Sequence, residues 1–242
     1  MGFYRLLWSK RKGNRMSIKY IKDNVLVIAD THLPFEKKGY LDFCYETKQK
    51  KRCGKVVHIG DMVDLHALSY HEHDPDGWSP EDEMKATDKH LSEWFKAFPE
   101  VYLCRGNHDS LVDRKGKTAG LPKRCFQQFR KIWNLPNKWR DDFVWEFNGV
   151  IYEHGNKCGK NAALDLAYEN RQSTVSGHTH SYAGVQWTAN EKDCLFGMGV
   201  GCGIDRHAYA FEYGKKFKKK PIIGCGVVSD RGNEAQFIKM KL

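Results

Sequence analysis

Five short polar motifs, nearly all placed after short runs of apolar residues, constrain what this chain can fold into. They are Asp30-Thr31-His32, Gly60-Asp61-Met62-Val63-Asp64, Gly106-Asn107-His108-Asp109, His154-Gly155 and Gly177-His178-Thr179-His180. The runs before them, at 25–29, 56–59, 101–104, 150–152 and 174–176, are short, apolar and largely β-branched, so they read as buried strands. In an α/β sheet the residues just beyond the carboxyl ends of the strands gather along one edge, where ligands bind. Five strand ends therefore deliver Asp, His and Asn side chains to one place. Carboxylate oxygens and imidazole nitrogens in such a set suit manganese, iron, zinc or nickel.

Helix-like segments alternate with these strands, at 40–52, 80–97, 123–133 and 160–170. The second starts well: Ser79 is a candidate N-cap, Pro80 takes the first turn, and Glu81, Asp82 and Glu83 complement the helix dipole. Further strands are expected at 182–188, 195–200, 221–228 and 235–240. The alternation calls for a sheet covered by helices. The length suits one domain at 23–242, preceded by a basic segment at 1–22.

Eight cysteines are scattered without a C-x-x-C pair, several inside predicted strands, where a free Cys acts as a small hydrophobe. No stretch is long enough for a membrane span, and the basic segment lacks the apolar centre of a signal peptide. The expected location is cytoplasmic, with no membrane partner. Lys and Arg number 40 against 30 acids, a net charge of +10, which favours an anionic partner such as nucleotide or nucleic acid. The densest cluster is Lys215, Lys216, Lys218, Lys219 and Lys220. It is either a solvated loop or a contact for a phosphate backbone.

The set of motifs and their order resemble the calcineurin-like metallophosphoesterase superfamily: a D-x-H, a G-D-x-x-D, a G-N-H-[DE], a later His and a G-H-x-H, all within residues 30 to 180. The resemblance implies a four-layer αββα sandwich, two mixed sheets flanked by helices with the metal site at strand ends. It implies two divalent metal ions, manganese first, with iron, zinc or nickel also suited. Asp61 would bridge them. Asp30, His32 and His180 would complete the protein ligands of one ion, and Asn107, His154 and His178 those of the other. The reaction would be hydrolysis of a phosphoester by a hydroxide held between the ions. His108 would act as general acid and Asp64 as the carboxylate that orients it and keeps it protonated. Asp109 is expected to brace its loop.

Two residues are weaker candidates for substrate binding. Arg105 could grip a phosphate oxygen pairwise or form a surface ion pair. His66, with His71 and His73 in the same loop, could line a substrate pocket or belong to a polar connector. His58, inside an apolar strand, is expected to be a satisfied core histidine. Departures from the family's subgroups bear on the substrate. Protein Ser/Thr phosphatases of the superfamily carry Arg after the second acid of G-D-x-x-D, whereas Asp64 is followed by Leu65. Double-strand-break nucleases carry His where this chain has Asp64. The expected function is a phosphodiesterase or nuclease acting on nucleotide or nucleic-acid phosphoesters. The alternative is a phosphomonoesterase, such as a nucleotidase or a small protein phosphatase.

Overall fold

The structure is a computed structural model and describes residues 22–70, 76–208 and 218–241. The basic segment up to residue 21, together with His71, His73, Lys215 and Lys216, lies outside the described residues. The strands and helices, in chain order, are β1 (Asn24–Ile28), α1 (Tyr40–Lys50), β2 (Cys53–His58), α2 (Pro80–Ala97), β3 (Val101–Cys104), α3 (Leu111–Thr118), the short α4 (Phe129–Ile132), β4 (Trp139–Asp142), β5 (Val144–Phe147), β6 (Val150–Glu153), α5 (Ala162–Asn170), β7 (Thr174–Ser176), β8 (Ala183–Ala189), β9 (Cys194–Val200), β10 (Gly224–Ser229) and β11 (Glu234–Lys239).

They form two mixed sheets, one in the order β11-β10-β1-β2-β3-β4 and the other β5-β6-β7-β9-β8. In the first, β1 to β4 run parallel, β10 pairs antiparallel with β1, and β11 pairs antiparallel with β10. In the second, β6, β7 and β9 run parallel, with β5 and β8 as antiparallel edges.

The period-two side-chain alternation of strands separates two cores. Val25, Val27, Ala29, Val57, Ile59, Tyr102 and Cys104 turn inward against Tyr152, Val175, Phe196, Met198 and Val200 of the second sheet. Leu26, Ile28, Val56, Val101 and Leu103 face the other way and are covered by Tyr40 and Cys44 of α1 and by Leu91 and Trp94 of α2. Helix α5 covers the second sheet, and Gly197 of β9 lets its backbone come close, since a Cβ there would strike Ala163 and Leu164. The result is the expected αββα layering. Strands β1, β2 and β3 lie inside the first sheet and are covered on both faces, which is why apolar residues run together in their sequences.

Helix α2 starts as its sequence predicts: Asp82 N donates to Ser79 Oγ at 3.2 Å, with Pro80 in the first turn. One expected helix is broken in two. The segment 123–133 is not one helix; it is a single 3-10 turn over Lys123–Cys125 and the four-residue α4. The apolar residues Cys125, Phe126, Phe129, Ile132 and Trp133 keep a helical spacing, but the backbone is extended at Phe126 and Gln128, and of α4 only Phe129 is buried, with Ile132 packed beside it. Helix α3 and strands β4 and β5 were not expected. Among the described residues no helix is long and apolar enough to cross a membrane.

Candidate metal centre

Each of the five motifs begins just past the end of a strand: Asp30 after β1, Asp61 after β2, Asn107 after β3, His154 after β6 and His178 after β7. All five strands run parallel within their sheets, so these ends share one edge of the sandwich. The chain turns there through unusual backbone. Asp30 (φ 50°), His32 (50°), Asp61 (47°) and His178 (64°) lie in the left-handed region that non-glycine residues rarely adopt. Such positions cost on the order of 1–3 kcal/mol each and persist only where the surroundings enforce them. Glycines make the close approach possible: a Cβ at Gly106 would strike the Asp61 carboxylate, and one at Gly177 the Asp30 carboxylate.

Two electron-rich clusters result. In one, His180 Nε2 lies 3.1 Å from Asp30 Oδ1 and 3.2 Å from His32 Nε2. In the other, His154 Nε2 lies 2.9 Å from Asn107 Oδ1, 3.2 Å from His178 Nδ1 and 3.2 Å from Asp61 Oδ2. The same Asp61 oxygen is 4.0 Å from His32 Nε2, so one carboxylate oxygen faces both clusters. Asp30, His32, Asp61 and His154 are all buried.

Backbone and carboxylate acceptors fix which imidazole nitrogens point inward. His154 Nδ1 lies 3.0 Å from Ile59 O, which can only accept, so Nδ1 carries the proton and Nε2 offers a lone pair. His32 Nδ1 donates to Asp64 Oδ1 at 2.8 Å with the same consequence for its Nε2. Lone pairs, an amide oxygen and carboxylates thus converge at distances where only a cation between them is favourable. The field at the clusters favours positive charge, whether a proton or a metal ion carries it. Burial alone would lower the His154 pKa, but Asp61 overrides it and pushes it up to about 9. Burial opposes ionisation of Asp61, and His154 overcomes that, holding its carboxyl well below the usual range. The donor set fits two divalent ions of the borderline type, with outer hydrogen bonds that orient the ligands.

Asp64 and His108 form a distinct pair beside these clusters. His108 Nδ1 lies 2.6 Å from Asp64 O and 3.0 Å from Asp64 Oδ1; both are acceptors, so Nδ1 holds a proton and Nε2 faces away from Asp64. His32, Asp64 and His108 are also close enough to form a third group of ligating atoms. Both imidazoles there spend an N–H on the carboxylate, which leaves no lone pairs turned toward a shared ion. That Asp64 serves His32 as well as His108 was not foreseen.

Asp109 braces the centre. One carboxylate oxygen accepts from Met62 N at 3.0 Å and Val63 N at 3.2 Å, and the other from Gly106 N at 2.8 Å. It therefore ties the loop after β2 to the loop after β3. Glu83 of α2 braces from further away, accepting from His66 N at 2.7 Å and Ala67 N at 2.8 Å. Its signal in the sequence was faint: Glu83, Thr87, Leu91 and Trp94 form one buried helical stripe, in which an acid is out of place unless it has partners. The Arg105 guanidinium lies 4.3 Å from the Phe143 ring centroid, and its Nε is 3.6 Å from Asp141 Oδ2, the ion-pair reading. His66 is buried in a 3-10 turn directly after Leu65.

His58 is buried at 1 % exposure and closes a chain of hydrogen bonds. Gly60 N donates to its Nδ1 at 3.3 Å; its Nε2 donates to Thr31 Oγ1 at 3.1 Å, and Thr31 Oγ1 donates to Met62 O at 2.8 Å. A second ring proton would face the Gly60 N–H, and burial accordingly lowers the pKa from 6.5 to about 3. The unfolded chain takes up that proton below about pH 6.5 while the folded one does not, so stability is full above that pH and falls as pH drops toward 3. The loss between pH 7 and pH 5 is on the order of 2 kcal/mol. Urea unfolding in EDTA, which removes metal release from the comparison, should show that slope in the parent and a flatter one in His58→Gln. Equal slopes would assign the acid sensitivity elsewhere.

A description of the calcineurin-like phosphoesterase family matches residues 24–182 of the chain, which include all five motifs. No curated protein matches the sequence. Among solved structures, vacuolar protein sorting 29 from Cryptosporidium parvum is similar at 13% identity and TM-score 0.43, covering 91% of this chain and 97% of its own. A dimetal phosphatase from Danio rerio is similar at 11% identity and TM-score 0.44, covering 91% and 99%. The phosphoesterase Yfce from E. coli is similar at 15% identity and TM-score 0.39, covering 86% and 88%.

Proposed function

The chain belongs to the calcineurin-like phosphoesterase family, a family of metal-dependent phosphoric ester hydrolases, and from that membership we propose that it is a dinuclear phosphodiesterase acting on nucleotide or nucleic-acid phosphoesters. The observation that carries the dinuclear reading is Asp61 Oδ2, a single buried oxygen that faces His154 Nε2 at 3.2 Å and His32 Nε2 at 4.0 Å. In this reading Asp61 would serve both ions, with Asp30, His32 and His180 available to hold one and Asn107, His154 and His178 the other. When bound, two such ions supply an acidified water and neutralise the charge of the phosphoryl oxygens.

The chain's own groups do the rest. Asp30 and Asp61 stay ionised and fixed, since His178 N donates to both Asp30 oxygens at 3.1 Å and His108 N to Asp61 Oδ1 at 2.8 Å. His108 delivers a proton to the departing oxygen from Nε2. Burial would lower its pKa, yet Asp61 and Asp64 raise it to about 10. Positive charge added at the centre draws that value back toward neutrality, where a general acid is most effective. Asp64 keeps the ring in place through its Nδ1. Position 65, where the protein Ser/Thr phosphatases of the superfamily carry Arg, is a buried Leu here, so no guanidinium grips a phosphomonoester from that point.

The diester preference follows from the charge balance of +10, which suits a polyanion. Manganese-dependent turnover of bis-p-nitrophenyl phosphate against p-nitrophenyl phosphate tests it. The proposal expects the higher kcat/KM on the diester. A preference for the monoester would make a nucleotidase the better description.

A further inference from the structure

We propose that two aromatic–cation pairs flanking the metal centre, Tyr70 with Arg114 and Lys115 and Tyr182 with Lys219, bind a single-stranded polynucleotide across it. The inference rests on the phosphodiesterase reading and names its substrate class.

Both pairs are tethered to ligand residues. Arg114 Nη1 donates to Asn107 O at 3.3 Å, and its guanidinium carbon lies 5.2 Å from the Tyr70 ring centroid. Lys115 Nζ is 4.0 Å from the same centroid, and the Tyr70 hydroxyl meets Thr118 Oγ1 at 3.0 Å, which fixes the ring against α3. On the other flank Tyr182 follows His180 by two residues, and Lys219 Nζ lies 5.0 Å from its ring centroid. Ile222 N donates to His180 O at 2.8 Å, so the lysine-bearing segment is docked on the loop that carries His178 and His180. Asn107 belongs to the cluster of His154 and His178, and His180 to the cluster of Asp30 and His32. One pair therefore stands beside each half of the centre.

The pairing of ring and cation selects among anions. Cations alone would take any phosphate. A ring beside each cation adds a face on which a base can stack, whatever its identity. Tyr70 remains 51% exposed with two cations on it, and Lys218, Lys219 and Lys220 are exposed. In a duplex the base faces are already stacked on one another, so the tyrosines contribute only to an unpaired strand. The lysines then meet the phosphates on either side of the one held at the centre.

Fluorescence anisotropy on the full manganese-loaded chain tests this, using a labelled phosphorothioate oligothymidylate of about twelve nucleotides, within the length one stacking surface covers. Tyr70→Ala and Tyr182→Ala should each weaken binding about tenfold, the usual worth of one stacked base. Tyr70→Phe and Tyr182→Phe keep the ring and should lose far less than the alanine variants. Lys115→Ser and Lys219→Ser should each reduce the slope of log K against log salt by about 0.7. No binding by the parent, alanine variants that bind like the parent, or equal losses on a duplex of the same length would each overturn the proposal. Turnover of bis-p-nitrophenyl phosphate by the same preparations reads the underlying activity separately. A parent that cleaves the diester without binding the strand refutes only the flanking pairs; one that binds the strand but cleaves no ester refutes the phosphodiesterase reading.

Discussion

His108→Ala should keep both metal ions and lose roughly 10²–10⁴ in kcat on esters with poor leaving groups, the range that a positioned proton donor supplies. The reason is geometric. His108 commits Nδ1 to Asp64, through its main-chain oxygen at 2.6 Å and a carboxylate oxygen at 3.0 Å, and this leaves Nε2 as the only ring nitrogen that can protonate a departing alkoxide. The ring stands 4.7 Å, centroid to centroid, from His32, edge to face, so it adjoins the centre without entering either ligand cluster. A p-nitrophenolate leaves without help, so the loss should shrink on p-nitrophenyl esters. Asp64→Asn should give a milder form of the same pattern, because an amide can still accept from Nδ1 but no longer carries the charge that favours the imidazolium. A uniform loss across leaving groups would mean that His108 positions the phosphate instead.

Asp61→Asn should be the most damaging change at the centre. Asp61 is buried, accepts from His108 N through one oxygen and turns the other toward both His154 and His32. Asparagine fits the same space beside Gly106, so the fold should survive and the effect reads out on metal binding. It removes the negative charge that both clusters share. Changing a residue that merely orients a ligand costs about 10–100-fold in metal affinity. A ligand common to two ions should exceed that on both, and exceed any terminal-ligand change such as Asn107→Ala or His180→Ala. Equal metal content in Asp61→Asn and parent, measured by elemental analysis after gel filtration, would refute the bridging role.

The centre was legible in the sequence because burial on both faces makes β1, β3 and the end of β2 largely apolar, so the polar residues after them stand out. Asp30, Asp61 and Asn107 are found that way without any knowledge of pairing. The layering was legible for the same reason, since alternate residues such as Val25, Val27 and Ala29 against Leu26 and Ile28 have two apolar sides to face. Strand β4 was not legible. Its sequence, Trp139-Arg140-Asp141-Asp142, has no strand pattern and owes its form to parallel pairing with β3, a contact between segments some way apart in the chain. Helix α3 contains Gly116 and lacks a side-chain cap, which hid it. The double service of Asp64 to His32 and His108, and the placing of Lys219 on Tyr182, depend on tertiary approach and leave no local mark.

Metal stoichiometry is the most direct measurement. The purified chain, loaded with manganese and passed through a desalting column, should carry two ions. Anomalous diffraction from crystals of it should place one beside Asp30, His32 and His180 and the other beside Asn107, His154 and His178, with Asp61 between them. Fewer than one ion per chain, or density at only one of the two clusters under saturating manganese, would contradict a dinuclear centre.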